Sequence, residues 1–150
     1  MLTLHIERPV KLPIDKHILL KAAQMTLAAQ GLSSEVDLSI VVGDDTLLRK
    51  LNLQYRQVDA ATDVLSFPSS ELDPDTSHLN LGDVVISLPR AEQQAAAGPH
   101  PVADELQLLV VHGTLHLLGY DHVKALDKKK MQTIQDKIMQ ELGVNIAIRL

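Results

Sequence analysis

Three histidines lie within eleven residues of the segment VVHGTLHLLGYDHV, residues 110–123. His112 and His116 are four residues apart, so on a helix both rings project from one face, about one turn apart. Gly119 permits the left-handed backbone conformation that ends a helix and returns the chain. That reversal would carry His122 toward the other two rings. The spacing therefore predicts one metal ion bound by His112, His116 and His122.

Imidazole ligands favour zinc, and nickel, cobalt and copper are the alternatives. The chain has no cysteine, which excludes a thiolate metal site and a cysteine nucleophile. Unrelated buried histidines would each need a partner of their own, at roughly 1–3 kcal/mol for each ring left without one. One shared ion satisfies all three rings. Because three protein ligands leave a fourth position for water, we predict one catalytic zinc ion per chain.

The pattern H-x-x-x-H-x-x-G-x-x-H also matches that of the metzincin peptidases, with one difference. Those enzymes carry glutamate directly after the first histidine as the general base. Here that position is Gly113, which has no base to offer. A zinc peptidase or amidase stays an alternative if Glu105, Asp83 or Asp121 lies within hydrogen-bond reach of the metal's water.

The elements that must position these residues follow from the hydrophobic periodicity. Alternating apolar residues predict strands over residues 2–6 and 36–42, and strands centred on 64–67 and 81–87. Helical spacing and capping residues predict helices over 14–30, from an Asp cap at 44–45 through 55, from Pro89 to Gly98, over 103–118 and over 126–142. The order β-α-β-α-β-β-α-α-α predicts one α+β domain over residues 1–150. Its helices pack on a small mixed sheet, and the metal site lies on a central buried helix.

Composition narrows the class of protein. A chain of 150 residues that is 45% hydrophobic forms one folded domain. We expect neither a signal peptide nor a membrane span, and a cytoplasmic location with no membrane partner. The net charge of −5 argues mildly against a nucleic-acid partner, although residues 121–150 carry a small basic excess. One Phe and two Tyr limit any surface on which nucleobases could stack.

Four motifs in a fixed order carry a family resemblance. The segments NLQYR, TDVLSFP, LGDVVIS and HGTLHLLGYDH together resemble the YbeY family of bacterial rRNA maturation factors, over about residues 36–142. The resemblance implies one α+β domain, a zinc ion held by His112, His116 and His122, and a single-strand-specific endoribonuclease. It implies a role in 3′-end maturation of 16S rRNA and in ribosome quality control. Single-stranded and ribosomal RNA, the small ribosomal subunit and assembly proteins are then the expected partners.

The resemblance also assigns catalytic residues. Arg56 matches the family's functionally important arginine, which lines the cleft near the metal, and His112 is the first metal ligand. The family usually continues with glycine after that arginine and often has proline before the threonine of T-[DN]-V-L-S-F-P. This chain has Gln57 and Ala61 there, which predicts a different loop shape beside an intact metal motif.

Two mechanisms and a third function remain open from the sequence. Zinc could activate a water for attack on the phosphodiester, or the RNA's own 2′-hydroxyl could attack, with Arg56 stabilising the developing negative charge in either case. Alternatively the protein is a non-catalytic, zinc-containing ribosome-assembly factor. That function predicts a closed fourth coordination position and no cleavage by the pure protein.

Overall fold

A computed structural model describes residues 1–32 and 35–146. In that part of the chain the predicted order of elements is confirmed. The strands are β1 Leu2–Ile6, β2 Val36–Gly43, β3 Val64–Pro68 and β4 Leu79–Ser87, and the helices are α1 Lys16–Ala29, α2 Asp45–Arg56, α3 Leu88–Ala97, α4 Val102–Leu117 and α5 Ala125–Glu141. The domain predicted over residues 1–150 includes residues 33, 34 and 147–150, which lie outside the described residues.

The four strands form one mixed sheet in the order β1-β2-β4-β3. β1 pairs parallel with β2, β2 pairs parallel with β4, and β3 pairs antiparallel with β4. The α+β class with a small mixed sheet is therefore confirmed. The antiparallel strand β3 lies at one edge of the sheet, where helix α4 with its histidines packs on β3 and β4.

Helix α4 is the centre of the fold. It contacts α1, α3, α5, β3 and β4, so it has neighbours on nearly every side. Apolar residues on all sides of the helix make this possible, because such a helix gains free energy only when it is enclosed. Its buried residues are Glu105, Leu106, Gln107, Leu108, Leu109, Val110, Val111, Gly113, Thr114, Leu115 and Leu117. Within the described ranges no helix is both long and apolar enough to cross a membrane.

Helices cover both faces of the sheet at the β3 edge. Successive strand residues point to opposite faces, and Leu65 and Ser66 show the two environments. Leu65 is buried in a small cluster with Leu48 of α2 and Val85 of β4. The hydroxyl of Ser66 instead donates to the main-chain carbonyl of Gly113 on α4, at 2.9 Å. The edge strand therefore joins α2 on one face to the histidine helix on the other.

Gly113 is the point where α4 lies closest to the sheet. A Cβ atom built at this position would lie 2.6 Å from Cγ1 of Val84 and 3.2 Å from Oγ of Ser66. Real Cβ atoms essentially never come within 3.0 Å of another heavy atom. The residue after the first histidine is therefore glycine because the helix could not otherwise pack this close to β3 and β4.

The substitution Gly113→Ala should lower the free energy of unfolding by about 1–3 kcal/mol, because the added methyl group overpacks the contact with Val84. Helix propensity alone predicts the opposite sign, a gain of about 1 kcal/mol. Urea denaturation of the two proteins measures the difference. In the double variant with Val84→Ala the methyl group has room, so the two effects should be non-additive. A more stable Gly113→Ala protein would contradict the close packing.

Candidate metal centre

The structure brings the three predicted histidines together. The ring centroids of His112 and His116 are 4.6 Å apart, those of His116 and His122 are 5.0 Å apart, and those of His112 and His122 are 5.4 Å apart. One nitrogen from each ring can be chosen so that all three lie within 4.8 Å of one another. Among the described residues this is the one group of histidine, cysteine and acidic side chains that could hold a metal ion.

The chain reversal after α4 delivers His122 to the other two rings. Gly119 has φ +96°, in the left-handed region that the spacing predicts for it. Main-chain hydrogen bonds from Gly119 to His116 (3.0 Å) and from Tyr120 to Leu115 (3.1 Å) close the turn. A carboxylate oxygen of Asp121 then accepts from the backbone N–H of His122 at 2.7 Å. Asp121 thus acts as a turn former.

The Nδ1 atoms of His112 and His116 each make a hydrogen bond, and these bonds orient the two rings so that their Nε2 atoms face each other. Nδ1 of His112 lies 3.0 Å from Oε1 of Gln135, and Nδ1 of His116 lies 2.8 Å from the carbonyl oxygen of Tyr120. Both partners are acceptors, so each Nδ1 carries the proton in the neutral ring, and each Nε2 carries a lone pair. The two Nε2 atoms lie 3.0 Å apart.

Burial keeps these imidazoles uncharged. It lowers the pKa of His112 to about 4, with the charge of His116 as the next cause, while the carboxylate of Asp63 acts weakly in the opposite direction. Burial is also the main cause that lowers the pKa of His116. At neutral pH both Nε2 atoms are therefore free of protons, which is the state that binds a metal.

The residues fit a divalent metal ion. Two nitrogen lone pairs that face each other at 3.0 Å repel unless a cation lies close to both of them. The third ring adds another nitrogen, and the resulting donor set of nitrogens alone is the set expected for zinc or a neighbouring transition metal. His112, His116 and His122 could together hold one such ion.

Gln135 is a part of the site that the sequence reasoning missed. It lies on α5, its side chain is fully buried, and its amide oxygen is the partner of His112. A signal was present: Gln135 occupies the apolar face of the helix, between the buried residues Met131 and Ile138. A polar side chain at such a position needs a buried partner. The identity of that partner depends on how α5 packs on α4, which periodicity does not specify.

Arg56 is the arginine that the resemblance assigns to the cleft near the metal. It is the last residue of α2, it is exposed, and its guanidinium makes no ion pair with the described residues. Burial is the main cause of the lowered pKa of His116, and the positive charge of Arg56 is one of the smaller causes. The carboxylate of Asp63 has the opposite effect and slightly raises the pKa of His112. Arg56 and Asp63 flank the loop of residues 57–62.

The loop after Arg56 is held to α2 despite its two departures from the family pattern. Gln57 ends the helix in the left-handed conformation, at φ 57°, which accounts for the family's glycine because glycine adopts this conformation without strain. Asn52 donates from Nδ2 to the carbonyl of Ala60 at 2.9 Å. Arg49 binds both carboxylate oxygens of Asp59, at 2.6 and 3.1 Å. The loop is therefore tied to the helix that ends with Arg56.

Of the three carboxylates that could have supported peptide hydrolysis, two are engaged elsewhere and the third is exposed on the sheet. Glu105 is buried at the start of α4 and binds Nε2 of His100 at 2.8 Å. Asp83 is exposed on β4, opposite Phe67 in the register. Asp121 binds the backbone of its own turn. No glutamate fits at Gly113, because its Cβ would collide with the sheet.

Comparisons with known proteins agree with this site. A family model described as Endoribonuclease YbeY matches residues 7–143. A protein of that name from Pelotomaculum thermopropionicum is 45% identical over 130 residues, covering 85% of this chain and 86% of the relative. Another, from Dehalococcoides mccartyi strain 195, is 37% identical over 149 residues, covering 91% and 87%. The solution structure of TM1509 from Thermotoga maritima superposes with a TM-score of 0.61 at 25% identity, covering 95% of this chain and 89% of that one.

The substitution Gln135→Leu should weaken zinc binding about 10- to 100-fold, because His112 loses the acceptor that fixes its ring and tautomer. Competition with a chromophoric chelator measures the dissociation constant. Gln135→Glu keeps an acceptor and should retain the affinity. The matched control is Gln140→Leu, on the exposed face of the same helix. Equal affinities for the Gln135→Leu and Gln140→Leu proteins would show that the contact does not position His112.

The metal-free protein should lose stability as the pH falls from about 6.5 to about 4. In this window the unfolded chain protonates His112, whereas the folded chain, with its pKa lowered to about 4, does not. The unfolded state therefore binds more protons, and the free energy of unfolding falls by up to about 3 kcal/mol. Urea denaturation in EDTA at several pH values measures this. His112→Gln should flatten the dependence, and an unchanged slope would contradict the shifted pKa.

Proposed function

The chain belongs to the YbeY endoribonuclease family, and we propose on that premise that it is a zinc-dependent, single-strand-specific endoribonuclease. Its substrate is the RNA of the small ribosomal subunit, and its task is the 3′-end maturation of 16S rRNA and ribosome quality control. The observation that carries the metal-dependent mechanism is the pair of unprotonated Nε2 atoms of His112 and His116, 3.0 Å apart, with His122 beside them.

His112, His116 and His122 would hold the ion. When bound, zinc supplies a Lewis acid at the scissile phosphate and lowers the pKa of a water. The hydrogen bonds that His112 and His116 donate to Gln135 and to the Tyr120 carbonyl hold the two rings in the metal-binding tautomer. His112 is catalytic in this sense, as a ligand that is kept neutral by its burial.

Arg56 would bind the phosphate. Its guanidinium is exposed and without an ion pair among the described residues, so its donors are available to a ligand. An arginine beside a hydrolytic site donates to non-bridging phosphate oxygens and stabilises the charge that develops as a nucleophile adds to phosphorus. That nucleophile is either a water or the 2′-hydroxyl of the RNA, and the ends of the fragments distinguish the two.

The partners follow from the substrate. RNA is the substrate class that the family's name states, and we propose that the protein meets it in the cytoplasm on the small ribosomal subunit, together with assembly proteins. The peptidase alternative has less support, because Gly113 packs against the sheet where a metzincin has its catalytic glutamate. The assembly-factor alternative predicts that the pure, zinc-loaded protein does not cleave RNA.

The zinc-loaded protein should cleave a short single-stranded RNA and leave the same sequence intact as a duplex. His116→Ala removes a metal ligand and should abolish cleavage, while Arg56→Ala should lower kcat/KM about 100- to 1000-fold, as expected for the loss of one charge-stabilising donor. Lys50→Ala, an exposed cation on the same helix as Arg56, is the matched control and should keep the wild-type rate.

Folding of each variant is checked by its thermal midpoint, and EDTA followed by zinc tests the metal requirement. A 2′,3′-cyclic phosphate on the fragments indicates attack by the 2′-hydroxyl, whereas its absence from the initial products indicates attack by water. If all four proteins cut equally, the activity belongs to a contaminant. A pure, folded, zinc-loaded protein that does not cut favours the assembly factor.

A further inference from the structure

An aromatic pair lies at the β3 edge of the sheet, next to Arg56. Tyr55 follows Leu48 and Asn52 on the face of α2 that packs toward the sheet, at spacings of four and three residues. The two earlier residues are buried, but Tyr55 is near the end of the helix and is 58% exposed. Its ring contacts Phe67 of the edge strand, edge-to-face, with centroids 5.2 Å apart. Phe67 thus supports the tyrosine ring, while more than half of the residue's surface stays open to solvent.

The pair is continuous with the phosphate-binding arginine. Tyr55 is followed directly by Arg56, whose charge reaches His116. Phe67 follows Ser66 on β3, so its side chain points to the face of the sheet that α2 covers, opposite the contact of Ser66 with Gly113. Arg56 is therefore the residue that joins the aromatic pair to the histidine cluster. A cation next to an exposed ring is the combination that binds an unpaired nucleotide, one group for the phosphate and one for the base.

The surroundings of Tyr55 are apolar and exposed. Leu53 is 50% exposed and Val58 is 46% exposed, at the same end of α2. Exposed large apolar side chains that cluster beside a functional site mark a binding surface more often than scattered ones do. The chain has one Phe and two Tyr, and the other tyrosine, Tyr120, donates its hydroxyl to Gln30 at 2.6 Å. Two of the three aromatic rings are therefore placed together at this edge.

We propose that Tyr55, supported by Phe67, is a stacking platform for one unpaired base of the RNA, whose phosphate is held by Arg56. The proposal rests on the proposed function and adds the residue that selects single strands. In a duplex both faces of a base are covered by its neighbours in the stack, so only an unpaired nucleotide can present a face to the tyrosine. The exposed cation in the same surface favours a polyanionic strand over an apolar protein segment.

Steady-state cleavage of single-stranded RNA by the zinc-loaded enzyme tests the platform. Tyr55→Leu should raise KM about 5- to 150-fold, the usual effect of removing one stacked base, with kcat little changed because stacking binds the ground state and the transition state equally. Tyr55→Phe keeps the ring and should keep the wild-type KM. The control is Leu72→Ala, which truncates a 68% exposed apolar side chain in the loop between β3 and β4.

A spectroscopic readout separates stacking from a merely structural role. The chain has no tryptophan, so Tyr55→Trp introduces one fluorophore at the proposed platform. Stopped-flow mixing of this zinc-loaded variant with single-stranded RNA should quench the indole fluorescence before cleavage proceeds. The same sequence as a duplex, and inorganic phosphate at an equal phosphate concentration, should not quench it. Quenching by the duplex to the same extent would overturn the proposal.

The failures of the two proposals are distinguishable. If the wild type and a folded Tyr55→Leu protein cleave single-stranded RNA with the same KM, the platform is wrong and the nuclease stands. If Tyr55→Phe loses binding as fully as Tyr55→Leu, the hydroxyl matters instead of the ring, and the platform is again wrong. If the zinc-loaded wild type neither binds nor cleaves RNA, the proposed function and the platform both fail.

Discussion

The contact of α4 with the β3–β4 pair is the constraint on which the site depends. Gly113 lets the helix approach until a single added carbon would collide with Val84, and Ser66 ties the helix backbone to the edge strand. Because His112 precedes Gly113, this contact determines where the first ring points. The same contact leaves no room for a glutamate at position 113, where a metzincin peptidase has its general base. The close packing of the helix therefore also disfavours peptidase chemistry.

Burial and metal binding favour the same protonation state at this centre, the neutral imidazole. An imidazole enclosed by apolar neighbours loses its charged form, which lowers the pKa of His112 to about 4 and leaves its lone pair available. A neutral ring still has one N–H that needs an acceptor, and Gln135 and the Tyr120 carbonyl provide two of these acceptors. The remaining lone pairs then face each other, an arrangement that is favourable only with a cation nearby. The apolar core thus prepares the rings for a metal ion.

The edge of the sheet explains how an acidic protein could handle a polyanion. The net charge is −5, yet Arg56 stands at this edge without an ion pair among the described residues, and the loop behind it is tied to α2 by Asn52 and by the Arg49–Asp59 pair. Under the proposed function, RNA binding would depend on this cation and on the exposed ring of Tyr55. A broad basic surface would not be required, because charge close to the reacting phosphate contributes most to catalysis.

Local patterns in the sequence determined the elements, their order and the three-histidine motif. Periodicity and capping report on neighbours along the chain, and the four-residue spacing, Gly119 and the Asp44 cap all act within about one turn. Only the tertiary structure decided which remote residues meet: Gln135 with His112, Ser66 with Gly113, and Tyr55 with Phe67. The first two pairs are far apart in the sequence, 23 and 47 residues. All three pairs depend on how the helices pack on one another and on the sheet. Docking follows from side-chain packing across elements, which no single segment encodes.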